Sequence, residues 1–337
     1  MATTKRAAQL GVGIAISAVF LWLAFRDVAF ADVWESMRTV SPLGLIVVAA
    51  VGLLSIVSRG QRWVPLFRKG TGVTFPNTFA AQCIGFAGNT VLPFRAGEAL
   101  KAYALAQRTQ QPFTKVLATV VLERVFDLMG AGATLGLAMW LVQIPESAGA
   151  QVGGAVRVLS VVVVFTVLWI GAFVFLRQRM LRVVDGVVDR LPDVVGKPLH
   201  RIVHSLVDGL DALGDARQLV GVTVLTAWVW ATLAMPFGVM SMAFGFGNTY
   251  GASAWQVGIV CSAIVAVFVM IPAAPGFVGT FQAGCIVALA IFGVPREEAL
   301  AFSLLVHFLT LVPVTVIGLV LAFRQGVMGG GRIPQGE

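Results

Sequence analysis

Charged side chains are scarce in this 337-residue chain. Asp, Glu, Lys and Arg make up 12% of it, where a soluble domain carries about a quarter. That shortage excludes a water-soluble globular domain, a disordered chain and a disulfide-stapled secreted module. Cysteine is scarce too: Cys83, Cys261 and Cys285 all lie in apolar stretches without metal-ligand spacing, so they read as small packing residues. No aspartate-rich metal motif, Walker loop, G-x-S-x-G or HExxH occurs, and neither a cofactor nor an enzyme activity is expected.

What the chain has instead is apolar length. Hydrophobic residues make up 58% of it, and the mean hydropathy is +0.89. Stretches free of Asp, Glu, Lys and Arg run over 7–25, 39–58, 70–94, 128–145, 158–176, 218–295 and 299–323. A helix crosses a hydrocarbon core of about 30 Å with about 20 residues, so the run from Gln218 to Pro295 holds several crossings. The sequence therefore predicts an all-α polytopic membrane protein, one integral membrane domain over residues 1–337. Lys5, Arg6 and the Ala29-Phe30-Ala31 triplet resemble a secretory signal, but Arg26 and Asp27 interrupt it. The first run reads as a retained helix.

The formal net charge of +8 sits between the apolar runs, which points to the positive-inside rule rather than to nucleic acid. Lys5 and Arg6 place the amino terminus in the cytoplasm. A helix over about 41–58 returns to Arg59, Arg62, Arg68 and Lys69. The segment 76–109 is broken by LPFRAGE at 92–98 and ends among basic residues, which reads as a re-entrant hairpin. A helix from Thr114 to Val142 exits, and Leu159–Leu176 returns to loop 177–217. That loop holds two amphipathic helices expected along the cytoplasmic headgroups, with His200 and His204 as interfacial histidines. Residues 26–38 read as an outside loop.

The second half repeats this scheme upside down. A helix over 218–243 reaches an uncharged Gly245–Gly251 turn. Two arms, 253–271 and 276–292, are joined by PAAPG at 272–276, and a last helix over 299–323 returns to Arg324. The arrangement is an inverted repeat of three spanning helices plus one re-entrant hairpin per half, over about 7–145 and 154–325. Eight full spans are the alternative, and both put the carboxyl terminus inside a cytoplasmic membrane.

Charges within spans are the informative exceptions. Arg95, Glu98 and Lys101 are three residues apart at the hairpin break, and Glu123, Arg124 and Asp127 lie on the following helix. At 1.5 Å per residue the latter fall roughly 12–18 Å deep. Each ionised side chain at the bilayer centre costs about 2.5–3.5 kcal/mol on insertion scales. They read either as an internal ion-pair clamp or as a mid-membrane polar cavity where an anionic group binds.

The order Arg59, Arg62-Trp63, Gly85, Asn89, LPFRAGE, Lys101, Glu123-Arg124, Asp127 and PAAPGFVG resembles the membrane domain of the lysylphosphatidylglycerol synthase/flippase family. That family includes free-standing flippase-like proteins, some tied to hopanoid or archaeal glycolipid pathways. The resemblance implies two re-entrant hairpins facing a cavity and a role in moving or presenting lipids. Carried over by position, Asn89, Arg95, Glu98, Glu123, Arg124 and Asp127 match the first-half motif, with Lys101 beside them. The second hairpin contributes Pro272, Pro275, Gly276, Gly279 and Gln282. Where the family pattern has an acidic residue after the second turn and an arginine in the last helix, this chain has Gln282 and His307. His307 then reads as a buried hydrogen-bonded histidine or as a proton or polar relay. Membrane lipids are the expected partners, lipid-biosynthetic enzymes and self-association being compatible with the sequence. The functional alternatives are a non-transporting scaffold of a lipid-synthesis pathway and a lipid headgroup-transfer enzyme.

Overall fold

The computed structural model describes residues 18–26, 28–67, 70–92, 96–141, 216–271 and 275–327. Residues 7–17 of the span expected over 7–25, the span expected over 159–176, the amphipathic loop up to residue 215, Arg95 and Pro272 lie outside the described residues. Those residues are helical with no strand among them: α1 (18–25), α2 (Phe30–Arg38), α3 (Pro42–Trp63), α4 (Phe75–Val91), α5 (Gly97–Thr109), α6 (Phe113–Leu141), α7 (Ala216–Ala243), α8 (Phe246–Tyr250), α9 (Ala254–Phe268), α10 (Thr280–Ala290) and α11 (Arg296–Arg324). Three helical stretches are long and apolar enough to cross a membrane: Pro42–Leu66, Arg217–Ala243 and Arg296–Arg324. At 29 residues α6 matches them in length but carries Lys115, Glu123, Arg124 and Asp127. The chain is a multi-pass membrane protein.

Local chemistry sets the helix ends. Ser41 accepts a hydrogen bond from the Gly44 N–H at 3.1 Å and Pro42 occupies the first turn, so α3 starts sharply. Leu92 precedes a proline and is extended (φ −95°, ψ 146°), which stops α4. Ser253 opens α9, where Gln256 Oε1 reaches back to accept from the Ser253 N–H at 3.3 Å and from the Ser253 hydroxyl at 2.6 Å. Glu297 and Glu298 in the first turn of α11 and Arg324 in its last match the helix dipole.

Contacts between ends sort the helices into one bundle with two faces. Gln218 Nε2 donates to the Pro65 carbonyl at 2.6 Å, Arg108 Nε to Gln325 Oε1 at 2.8 Å, and Gln111 Nε2 to the Thr71 carbonyl at 3.1 Å. The end of α3, both ends of the α4–α5 pair and the end of α11 thus share one face with Arg108, Lys115, Arg217 and Arg324, the basic face. At the far face Tyr250 donates to Glu298 at 2.8 Å, and burial together with that hydrogen bond and the Glu298 charge pushes the phenol up to about 12. Two cores fill the bundle, and each draws on both halves of the chain, Val222 and Ala322 joining the first and Val48 and Leu135 the second. Trp63, Leu66, Ile84, Leu105 and Leu122 fill the first, and Phe237, Phe246, Leu289 and Phe302 fill the second.

Two loops expected from sequence contain helix. Residues 30–38 form α2, because Phe30, Val33, Trp34 and Met37 recur at helical spacing. Val33 is buried with Ala24, Leu300 and Ala301, while Phe30 and Trp34 stay exposed. The Gly245–Gly251 turn holds α8 between two glycines at positive φ.

Candidate functional site

The intrahelical charges converge where α3, α4, α5 and α6 meet. Lys101 Nζ lies 2.7 Å from Glu123 Oε2 and 3.2 Å from Glu98 Oε2. Gln82 donates to Glu123 Oε1 at 2.8 Å. Arg124 Nη2 lies 3.0 Å from Asp127 Oδ2, and its Nη1 is 3.8 Å from Glu98 Oε1. The i,i+4 spacing stacks Glu123 and Asp127 on one face of α6, as expected.

Two arginines complete the network that sequence reasoning had assigned to the cytoplasmic flank. Arg62 Nη1 is 2.6 Å from Asp127 Oδ1 and its Nη2 is 3.6 Å from Glu123 Oε1. Arg59 Nη1 is 3.3 Å from Asp127 Oδ2. The error has a physical cause: α3 continues through Trp63 instead of ending near residue 58, so both arginines stay on the helix and face inward. Arg59 and Arg62 at i,i+3 beside a tryptophan carried the signal. Trp63 donates to Thr119 Oγ1 at 3.0 Å and presents its ring to Lys101 at 4.9 Å. The same geometry moves the cluster off centre. Arg62 is 20 residues, about 30 Å, from the start of α3, so the cluster lies toward the basic face.

The network is sealed at one side and open at the other. Side chains of Arg62 and Glu123 are 0% exposed and that of Lys101 3%, whereas Glu98 reaches 31% and Arg124 44%. Four cations (Arg59, Arg62, Lys101, Arg124) face three carboxylates (Glu98, Glu123, Asp127), a surplus of one positive charge among the described residues. Arg62 Nε is buried with no hydrogen-bond partner. Asn89 stands apart, two turns beyond Gln82 on α4, and its buried Oδ1 also lacks a partner. Gly97 permits α5 to pack closely on α4: a Cβ there would fall 2.0 Å from the Gly85 carbonyl oxygen and 2.5 Å from Asn89 N.

The second pair, α9–α10, turns through Gly276 (φ 73°), Phe277 (φ 59°) and Gly279 (φ 92°). Gln282 accepts from the Gly279 N–H at 2.8 Å and meets His307 Nδ1 at 3.0 Å. The His307 ring stacks on Phe281 at 4.2 Å and hydrogen-bonds the Gly276 backbone. The two residues singled out as departures from the family pattern are therefore bonded to each other and hold this turn. Pro275 begins it. Gly276 faces Thr90 and Leu311, and Thr315 donates to Thr90 at 3.2 Å, so the end of α4 and this turn meet against α11. No group of three or more His, Cys, Asp or Glu suited to a metal occurs among the described residues.

A family model described as the lysylphosphatidylglycerol synthase transmembrane region matches residues 10–318. A UPF0104 membrane protein of Methanothermobacter thermautotrophicus is 24% identical over 328 residues, 91% of this chain and 89% of the relative. Glycosyltransferase AglD of Haloferax volcanii is 29% identical over 118 residues, which cover 33% of this chain and 18% of that protein. The chain belongs to the lysylphosphatidylglycerol synthase transmembrane-region family.

Proposed function

We propose that this chain binds an anionic membrane lipid, a phospholipid or a polyprenyl-phosphate-linked lipid, and moves it between leaflets through a polar cavity at the charged cluster. The observation that carries this reading is the surplus cation at the open side. Arg124 is half-exposed beside the partly exposed Glu98 while Arg62, Glu123 and Lys101 are sealed, so a headgroup phosphate can exchange for a carboxylate there without unsealing the rest. Asn89, Arg95, Glu98, Lys101, Glu123, Arg124 and Asp127 form the headgroup site in this reading, and Arg59 and Arg62 join them.

The α4–α5 and α9–α10 pairs act as re-entrant hairpins entering from opposite faces of a cytoplasmic membrane, with both termini inside. Their arms have 17, 13, 15 and 11 residues. The longest spans about 25 Å, short of a core of about 30 Å, which favours the inverted repeat over eight full spans. The sealed Arg62–Glu123–Lys101 side favours a second reading, a scaffold in which the charges only clamp helices.

Reconstitution separates these readings. Vesicles containing the protein and a headgroup-labelled fluorescent phosphatidylglycerol are quenched from outside by dithionite. Transport predicts complete quenching with the wild type and at least tenfold slower quenching with Arg124→Ala. Wild-type vesicles no faster than empty ones sink the transport reading. Full function of the charge-swapped pair Arg124→Asp with Asp127→Arg supports the scaffold, and a new lipid product with an activated donor supports headgroup transfer.

A further inference from the structure

The charged face of α6 does not stop at Asp127. Gly130, Thr134 and Leu137 continue the same stripe toward the far face at i,i+3 and i,i+4 spacing, and there they line a groove of about 560 Å³ between α6, α7 and α9. That volume falls within the ~300–1,000 Å³ range of ligand sites. Its walls are almost entirely carbon. On α7 it runs from Ala227 to Met242, 15 residues or about 22 Å. Ala133, Ala227 and Ala231 are exposed and leave its side open. At the far end α9 closes it, where a Cβ on Gly238 would lie 2.7 Å from the Ala254 carbonyl oxygen.

At the junction between charge and groove, one turn beyond Asp127, the Trp230 indole lies across Gly130. A Cβ on Gly130 would fall 2.0 Å from Trp230 Nε1. That N–H is buried and has no hydrogen-bond partner, an unusual condition for a native donor. A charged cluster, an orphan donor and an apolar trough thus follow one another along α6. The order matches phosphate, glycerol linkage and hydrocarbon chain.

We infer that the groove between α6, α7 and α9 binds one hydrocarbon chain of an anionic phospholipid whose phosphate sits at Arg124 and whose glycerol oxygens face Trp230. The inference rests on the headgroup site proposed above and adds that the chain leaves the bulk bilayer. It also sets the direction, with the headgroup toward the basic face and the chain toward the far face. The occupant is a lipid rather than a protein segment, because the groove is open sideways on a multi-pass membrane protein and begins one turn of α6 from the charged cluster.

The test uses the full chain in nanodiscs of phosphatidylcholine with a trace of phosphatidylglycerol bearing a diazirine midway along one acyl chain. Photolabelled residues are mapped by mass spectrometry, against a phosphatidylcholine probe with the same chain. The expected result is labelling of the groove residues of α6 and α7 at least fivefold above the phosphatidylcholine probe. Arg124→Ala should abolish that preference, as should Ala231→Trp, which fills the groove from an exposed position. If Ala231→Trp does not fold, Thr134→Trp fills it from α6. Equal labelling by both probes, or a preference untouched by groove filling, overturns the inference. Chainless glycerophosphoglycerol distinguishes the failures. Arg124-dependent binding of it with no groove preference rejects the chain site alone, and no binding of it or of the phosphatidylglycerol probe rejects the headgroup site as well.

Discussion

Arg62 grips Asp127 at 2.6 Å and also reaches Glu123 at 3.6 Å, so one guanidinium on α3 spans both carboxylates of the α6 face. Every carboxylate in the cluster is shared. Asp127 takes Arg59, Arg62 and Arg124, Glu123 takes Arg62, Lys101 and Gln82, and Glu98 takes Lys101 and Arg124. Deep burial of charge is costly unless compensated by partners. The sharing leaves each carboxylate with a remaining partner when one contact opens.

Glu123→Gln should be among the most damaging single changes at the sealed side. It leaves Lys101 and Arg62, 3% and 0% exposed, facing a neutral amide. Breaking a buried pair from one side costs about 3–5 kcal/mol. Removing the charge of both partners with Glu123→Gln and Lys101→Met should recover part of that loss. Thermal unfolding in detergent, followed by size-exclusion chromatography, measures it. A single variant as stable as the wild type contradicts the compensation argument.

Much of this arrangement was legible in the sequence because lipid makes charge conspicuous. The helices over 113–141, 216–243 and 296–324 fall within three residues of those expected over 114–142, 218–243 and 299–323, and the pairing of Arg124 with Asp127 follows from i,i+3 spacing alone. Arg62 was misplaced because a basic residue at the end of an apolar run looks the same whether it faces the headgroups or turns inward. Only the packing of Trp63 and Gln82 decides between them. The Gln282–His307 bond joins residues 25 apart on different helices, a contact no local periodicity reports. Likewise α2 was hidden because its nine residues hold too much charge to register as an apolar run.

The second turn depends on that bond. Gln282→Leu removes the acceptor for the Gly279 N–H and the partner of His307 Nδ1, both buried. Each stranded polar group costs about 1–3 kcal/mol. The variant should lose stability by that order and gain hydrogen exchange across 276–283, whereas Gln282→Glu keeps the Gly279 contact. Unchanged exchange in the leucine variant would show that the turn is held by its glycines alone.

At the far face, Tyr250 should hold its proton well into alkaline solution. Burial, then the hydrogen bond from Tyr250 to Glu298 and the Glu298 charge, raise its phenol from 10.0 to about 12. A raised folded value favours the neutral form, so the contribution is complete below about pH 10 and is lost as the pH climbs toward 12. The chain has two tyrosines, and Tyr103→Phe leaves Tyr250 alone for titration at 295 nm. A midpoint near 12 that falls with Glu298→Gln agrees with this contact; a midpoint near 10 in both proteins does not.

The first hairpin rests on the absence of one methyl group. At Gly97 a Cβ would overlap the Gly85 carbonyl oxygen at 2.0 Å and the Asn89 nitrogen at 2.5 Å, both backbone atoms that cannot swing aside. Gly97→Ala must therefore push α5 away from α4, and Lys101, one turn along, moves with it off Glu123. Overpacking of this kind costs about 1–3 kcal/mol before any charge is stranded, and the displaced Lys101 adds to it. Gly136→Ala is the matched control, because nothing lies within 4 Å of a Cβ there and alanine is the better helix former by up to about 1 kcal/mol. The pair compared in one detergent should therefore diverge, with alanine at 97 lowering the melting temperature and alanine at 136 leaving it level or higher. Equal melting temperatures would mean that α4 and α5 are not packed this closely, and the ion-pair distances built on that packing would fail with it.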